Sequence, residues 1–173
     1  MRLPLALAAL ASLSLVPAVP QAQQNPWGLA REAAGKATVG KLEREINRRL
    51  LEEGRKNQCS FKTDTAFLEP GCDGKVRRLA TALVDAKKRL NTAGVRNFKF
   101  VLSGHTDSSG SATHNKDLSA KRAAVIEKEL IARGIPQVEL ESVGLGSERR
   151  LVSPDNTPAK KARNRRYEIQ VKL

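Results

Sequence analysis

The chain has 173 residues, enough for one ordinary domain with short extensions. Hydrophobic residues make up 40% and aromatic residues 3%, so a core can form but must be aliphatic, and recognition of single strands by base stacking is disfavoured. The formal net charge of +13 suits a binder of polyanions, through counterion release, and equally a secreted protein that charge keeps soluble.

At the N-terminus, Arg2 precedes an apolar stretch from Leu3 to Val19 rich in Leu and Ala. A short positive region, a short apolar region and a small-residue exit read as a secretory leader, assigned to residues 1–22 with cleavage after Ala22 or Ala18. Pro4 and Pro17 interrupt the stretch, which is short for a membrane span; the alternative is an uncleaved anchor. No cysteine stands at the exit, so lipid modification there is not expected. Export lowers the expectation of a nucleic-acid partner. It also places Cys59 and Cys72, the only cysteines, where a disulfide closing a short loop would stabilise by about 3 kcal/mol. Neither His105 nor His114 stands at zinc spacing from them, so no metal or cofactor is expected.

Residues 23–35 read as a linker, followed by a helix over residues 36–54 with Val39, Leu42, Ile46 and Leu50 on one face. That helix either binds a partner or packs on its own domain; the stripe is short for a coiled coil. The compact domain is expected over residues 58–173. Residues 59–62 can form a strand, and Pro70, Gly71 and Gly74 mark a loop. A helix over 75–91 carries Val76, Leu79, Leu83 and Leu90, and Gly94 stops it. Residues 97–103 alternate as a strand, with Phe98, Phe100 and Leu102 on one face. After a polar turn, a helix over 112–133 starts at Ser111 as N-cap and ends at Gly134. A strand over 138–143, a long polar loop over 144–162 and a closing strand over 166–172 complete the chain. The order β-α-β-α-β-β predicts an α/β two-layer sandwich: one mixed sheet with two helices on one face, preceded by the N-terminal helix.

On a wheel of about 100° per residue with Leu118 at zero, Val125, Ile126 and Leu130 fall near about −20°, 80° and 120°. Arg122 falls near about 40° and Asn115 near about 60°, inside the apolar stripe. A guanidinium directed at its own domain needs an acceptor. Asp107, in the turn that leaves the preceding strand through Gly104-His105-Thr106, can supply one. Together the two groups either hold a zwitterion, the carboxylate taking an ammonium and the guanidinium a carboxylate, or form a structural salt bridge. Helix geometry leaves these two readings even.

Residues 100–131 read FVLSGHTDSSGSATHNKDLSAKRAAVIEKELI. The G-H-T-D turn, the Gly-Ser turn and N-x-x-L-S-x-x-R-A, followed by Gly144-Leu145-Gly146 and Asn164-Arg165-Arg166-Tyr167-Glu168-Ile169, stand in an order that resembles the OmpA-like domain family over residues 58–173. The resemblance implies a non-enzymatic domain that binds peptidoglycan noncovalently through the diaminopimelate of the stem peptide. It makes Asp107 and Arg122 the principal pair. Thr106 stands beside Asp107, and Asn115, Leu118 and Ser119 match the helix motif and are expected to line the pocket. Arg165 and Asp64 are secondary candidates. Local capping is the ordinary role for Asn115 and Ser119, and a surface charge for Arg165.

The chain departs from the family at His114, where an aromatic residue is common, at Ser147, where an acidic one is, and at a displaced Pro154. With no barrel strands and no lipobox, a periplasmic tether is expected, with peripheral outer-membrane association and other envelope proteins reached through the N-terminal helix. One alternative is a polyanion binder or envelope-complex protein without wall binding, drawing on Lys160, Lys161, Arg163, Arg165 and Arg166. Another is an enzyme built on His105, Asp107 and His114, for which no separate nucleophile motif stands out.

Overall fold

The computed structural model describes residues 26–62 and 64–173. The leader expected over residues 1–22 lies outside them. A long helix, α1 (Pro26–Lys56), is followed by α2 (Asp73–Thr92), the strand β1 (Lys99–His105), α3 (Ala112–Ile131), β2 (Leu140–Gly144), a short α4 (Pro158–Asn164) and β3 (Arg166–Lys172). β1 is the central strand, parallel to β2 and antiparallel to β3, with Leu102 in register with Ser142 and Ile169. Strand alternation puts Phe100 and Leu102 on one face with Ile169 and Val171. That face is sealed by Val76, Leu79, Leu83 and Leu90 of α2 and by Ile126 and Leu130 of α3. Two helices thus cover one face of a mixed sheet, as the order of elements predicts.

α1 runs longer than the expected 36–54 and takes in residues 26–35, read above as linker. Its two halves differ. Residues 31–38 are exposed, whereas Ile46 and Leu50 are buried in the common core. Asn47 lies against β3, accepting from Val171 N at 2.6 Å and donating to Val171 O at 3.1 Å. Gln58, just past the helix, does the same for Tyr167, at 3.0 and 2.8 Å. Two side-chain amides therefore occupy backbone positions on the outer edge of β3 that would otherwise await another strand. Of the two readings of this helix, packing on its own domain holds for its second half.

That edge capping also explains a correction. Residues 59–62 do not form a sheet strand; they make a single antiparallel bridge, Phe61 to Leu68. The segment is held instead by the disulfide between Cys59 and Cys72 and by the Tyr167 hydroxyl, which donates to Asn57 O and accepts from Cys59 N at 3.3 Å. Two smaller differences follow. β2 begins at Leu140 because Gln137–Glu139 form a 3-10 turn. The expected 144–162 loop ends in α4, where Thr157 caps Lys160 N and Pro158 occupies the first turn.

Glycine sets how closely α3 meets the sheet. A Cβ on Gly104 would stand 2.2 Å from Ser119 O, and one on Gly144, its partner across β1 and β2, 2.4 Å from Lys116 O. Backbone lies against backbone there, and the first half of α3 is drawn over the end of β1.

Candidate functional site

An open cleft of about 1090 Å³ lies over the end of β1, walled by the 58–64 segment, the first half of α3 and the start of β3. Asp107 stands at its base, 7% exposed. Its Oδ2 accepts from Arg165 Nη1 at 2.8 Å and its Oδ1 from Ser109 N at 2.9 Å. Burial alone pushes the carboxyl pKa up. The hydrogen bonds from Arg165 and Ser109, with the Arg165 charge, outweigh it and hold the group below the ordinary carboxylate range. A carboxylate has about four lone-pair sites, so two remain for a further donor.

Arg122 faces the same cleft from α3 and is half-buried. Its Nε donates to Thr65 O at 2.8 Å, and its guanidinium lies over the Phe61 ring at 5.1 Å. Among the described residues it has no carboxylate within 4.0 Å, and neither Nη makes a hydrogen bond. Burial, and then the Arg165 charge, lower its pKa, while Asp64 and Asp107 oppose that shift. The direct Asp107–Arg122 salt bridge, one of the two readings above, therefore does not form. Arg165 occupies Asp107, and the 61–65 segment occupies the Nε side of Arg122.

The remaining candidates divide. Thr106 is buried, its N–H donating to Gly146 O at 2.9 Å while its hydroxyl has no partner among the described residues. Asn115 is buried at the cleft and donates to Ser109 O at 2.7 Å, fixing the turn after Asp107. Leu118 lines the cleft, half-buried. Asp64 does too, in a left-handed conformation at φ 54°, with Oδ1 2.7 Å from His114 Nε2. Ser119 is not in the cleft: wholly buried, it donates to Lys116 O and accepts from Gly146 N, each at 2.9 Å. It joins α3 to the Gly144-Leu145-Gly146 turn, because the close approach at Gly104 points that turn of the helix into the sheet.

His105 is buried, with Nε2 3.8 Å from Glu168 Oε2 and neither ring nitrogen hydrogen-bonded among the described residues. Burial and then the charges of Arg166 and Arg149, opposed by Glu168, lower its pKa to about 4, so it is neutral near pH 7.

Sequence reasoning missed a buried brace beneath this site. Asn164 is fully buried; its Oδ1 accepts from Leu151 N and Val152 N, and its Nδ2 donates to Val152 O and to Asp155 Oδ2. Asp155 in turn accepts from Ser108 N at 2.9 Å. The brace ties the 151–155 loop to the Asp107 turn and holds α4 so that Arg165 reaches Asp107. Its one legible signal is an asparagine before two arginines in the closing motif.

The OmpA family model matches residues 60–165. The chain belongs to the OmpA family. It is 41% identical over 73 residues to the peptidoglycan-binding protein ArfA of Mycobacterium tuberculosis, covering 42% of this chain and 22% of that protein. To the peptidoglycan-associated lipoprotein of Pseudomonas aeruginosa it is 32% identical over 110 residues, covering 64% and 59%. It is 29% identical over 168 residues to the outer-membrane lipoprotein YfiB of the same organism, covering 97% and 94%. Among solved structures, the peptidoglycan-associated lipoprotein of Burkholderia pseudomallei shares the OmpA-like fold at TM-score 0.54 and 22% identity, covering 66% of this chain and 89% of that one. The C-terminal domain of Helicobacter pylori MotB does so at 0.55 and 21%, covering 67% and 84%. Among the described residues no helix is long and apolar enough to cross a membrane.

Proposed function

We propose that this OmpA-family domain binds peptidoglycan noncovalently in the periplasm and carries out no chemistry on it. The observation that carries this reading is the arrangement of Asp107 and Arg122. They line one cleft with opposite charges, and each is held by partners other than the opposite member. A salt bridge between them would have to break before a ligand entered. Here the anion is set by Arg165 and Ser109 and the cation by Thr65 and Phe61, which cuts the cost of ordering on binding. One carbon of diaminopimelate bears both an ammonium and a carboxylate. The ammonium suits the remaining acceptor sites of Asp107, and the carboxylate suits the Nη donors of Arg122. Thr106, Asn115, Leu118 and Asp64 border that position, and Arg165 orients Asp107.

The relatives' names support the wall as ligand and the outer membrane as the neighbourhood. In this reading residues 1–22 are the leader, 58–173 the wall-binding domain, and the exposed 31–38 stretch of α1 is available to other envelope proteins. An acid–base reading finds less support: His114 is engaged by Asp64 and His105 lies buried near Glu168. Sacculi cross-linked through diaminopimelate, compared with walls that carry lysine instead, test the ligand. The parent is expected to sediment with the former and poorly with the latter. Equal binding to both would show that the zwitterionic centre is not what is read.

A further inference from the structure

From the rim of the cleft, at Leu151 and Arg163, a surface of one sign runs outward to Arg149, Arg150 and Lys160. Residues 149–166 contain seven cations, Arg149, Arg150, Lys160, Lys161, Arg163, Arg165 and Arg166, and a single acid, Asp155. Asp155 does not offset them at the surface: it is 4% exposed and engaged by Ser108 and Asn164. Arg165 and Arg166 are taken up by Asp107 and Glu168. The other five have no carboxylate within 4.0 Å among the described residues, and nearby Glu148 is paired with Lys116. Elsewhere the cations are spread along helices among acids, and some on α1, α2 and α3 are paired one turn away, as in Arg48–Glu52, Arg77–Asp73 and Lys121–Asp117.

The two segments that carry the five are held together, and Lys161 Nζ reaches back to Ser109 Oγ at 2.7 Å. The Asn164 amide clamps Leu151 and Val152 onto the end of α4, and Arg166 donates to Arg149 O at 3.0 Å. Arg149, Arg150 and Arg163 are exposed, and Lys160 and Lys161 partly so. Among them Leu151, which with Arg163 also forms the rim of the cleft, is 44% exposed. Unpaired like charges repel and work against the compact state, so a rigidly held cluster of them calls for an anionic partner.

We propose that the face formed by Arg149, Arg150, Leu151 and α4 docks on the anionic phospholipid headgroups of a membrane. The cations meet the headgroup phosphates, each strengthening attachment about fivefold when it lies within a Debye length of such a surface. Leu151 supplies the apolar contact at the headgroup–acyl boundary, which a soluble polyanion would leave unused. The face carries no aromatic side chain, so base stacking has no platform there. The inference does not depend on the wall-binding reading.

The test is co-sedimentation of the full chain with vesicles of phosphatidylethanolamine and phosphatidylglycerol, and with vesicles of phosphatidylcholine alone. Arg149, Arg150 and Lys160 do not line the cleft, so the variant Arg149→Gln/Arg150→Gln/Lys160→Gln separates the two surfaces. The parent is expected to bind the anionic vesicles, less so as salt rises, and the neutral ones far more weakly. The triple variant, with an unchanged melting temperature, is expected to bind anionic vesicles on the order of a hundredfold more weakly while retaining sacculus binding. Equal binding of parent and variant to anionic vesicles, or equal binding of the parent to both vesicle types, overturns the proposal. So does a variant that loses sacculi and keeps the vesicles.

Discussion

Gly104→Ala should destabilise the domain through one added carbon. The new Cβ would stand 2.2 Å from Ser119 O, 2.9 Å from Ser119 C and 3.3 Å from Ser119 Cα. All three are backbone atoms, so no side chain can rotate away, and α3 must lift from β1 or the strand must bend. Overpacking typically costs about 1–3 kcal/mol, and a backbone neighbour places this case near about 3 kcal/mol. For a chain of this size that corresponds to a fall in melting temperature of roughly 6–12 °C. Gly54→Ala is the control: it lies in α1 with nothing within 4 Å of the added carbon, and it should be neutral or stabilising by about 0.4–1 kcal/mol. Thermal melts followed by circular dichroism read both. If Gly104→Ala melts within about 2 °C of the parent, the close approach of helix and strand is not what this glycine serves.

Four further outcomes are expected. Tyr167→Phe removes the hydroxyl that bonds Asn57 O and Cys59 N and should cost about 1–3 kcal/mol in urea unfolding, since both backbone groups lose a buried partner. Between the ordinary histidine pKa near 6.5 and the folded value of about 4, the unfolded chain binds the His105 proton and the folded one does not. Stability should therefore be full above the first value and fall as pH drops toward the second, by at most about 3 kcal/mol, and His105→Gln should remove that slope from the stability–pH curve. The double variant Cys59→Ser/Cys72→Ser should lose about 3 kcal/mol of stability and loosen the segment that carries Phe61 and Thr65, measurable as increased amide exchange there. Arg165→Ala should weaken sacculus binding on the order of tenfold, with partial rescue by Arg165→Lys, because Asp107 loses the donor that orients it.

Much of the fold follows from local signals. Phe100 and Leu102 alternate as only a strand does, the α2 residues recur at helical spacing, and Ser111 caps the start of α3, which stops at Ile131, two residues short of the expected end, with Gly134 turning left-handed at φ 87° just beyond. The 59–62 segment went the other way because its alternative partner is not local: the β3 edge is taken by Asn47 and Gln58, 124 and 109 residues away from the strand positions they cap. α4 was hidden because seven residues give too little periodicity to see, although Thr157-Pro158 is a legible start. At the site, the wheel placed Arg122 and Asn115 inward correctly, since that depends on one helix. Which cation meets Asp107 depends on where β3 begins beside β1, which no spacing within α3 encodes. Ser119 matched its motif and nevertheless faces the Gly146 turn, because a motif position gives the helix face but not what lies opposite.

The central claim is that Asp107 and Arg122, held apart by separate partners, together grip the wall. Sacculus pull-down with the parent, Asp107→Ala and Arg122→Ala, each shown folded by its melt, tests it most directly. The parent should sediment with sacculi, and either substitution should abolish this. Parent-like sedimentation by both variants would contradict it.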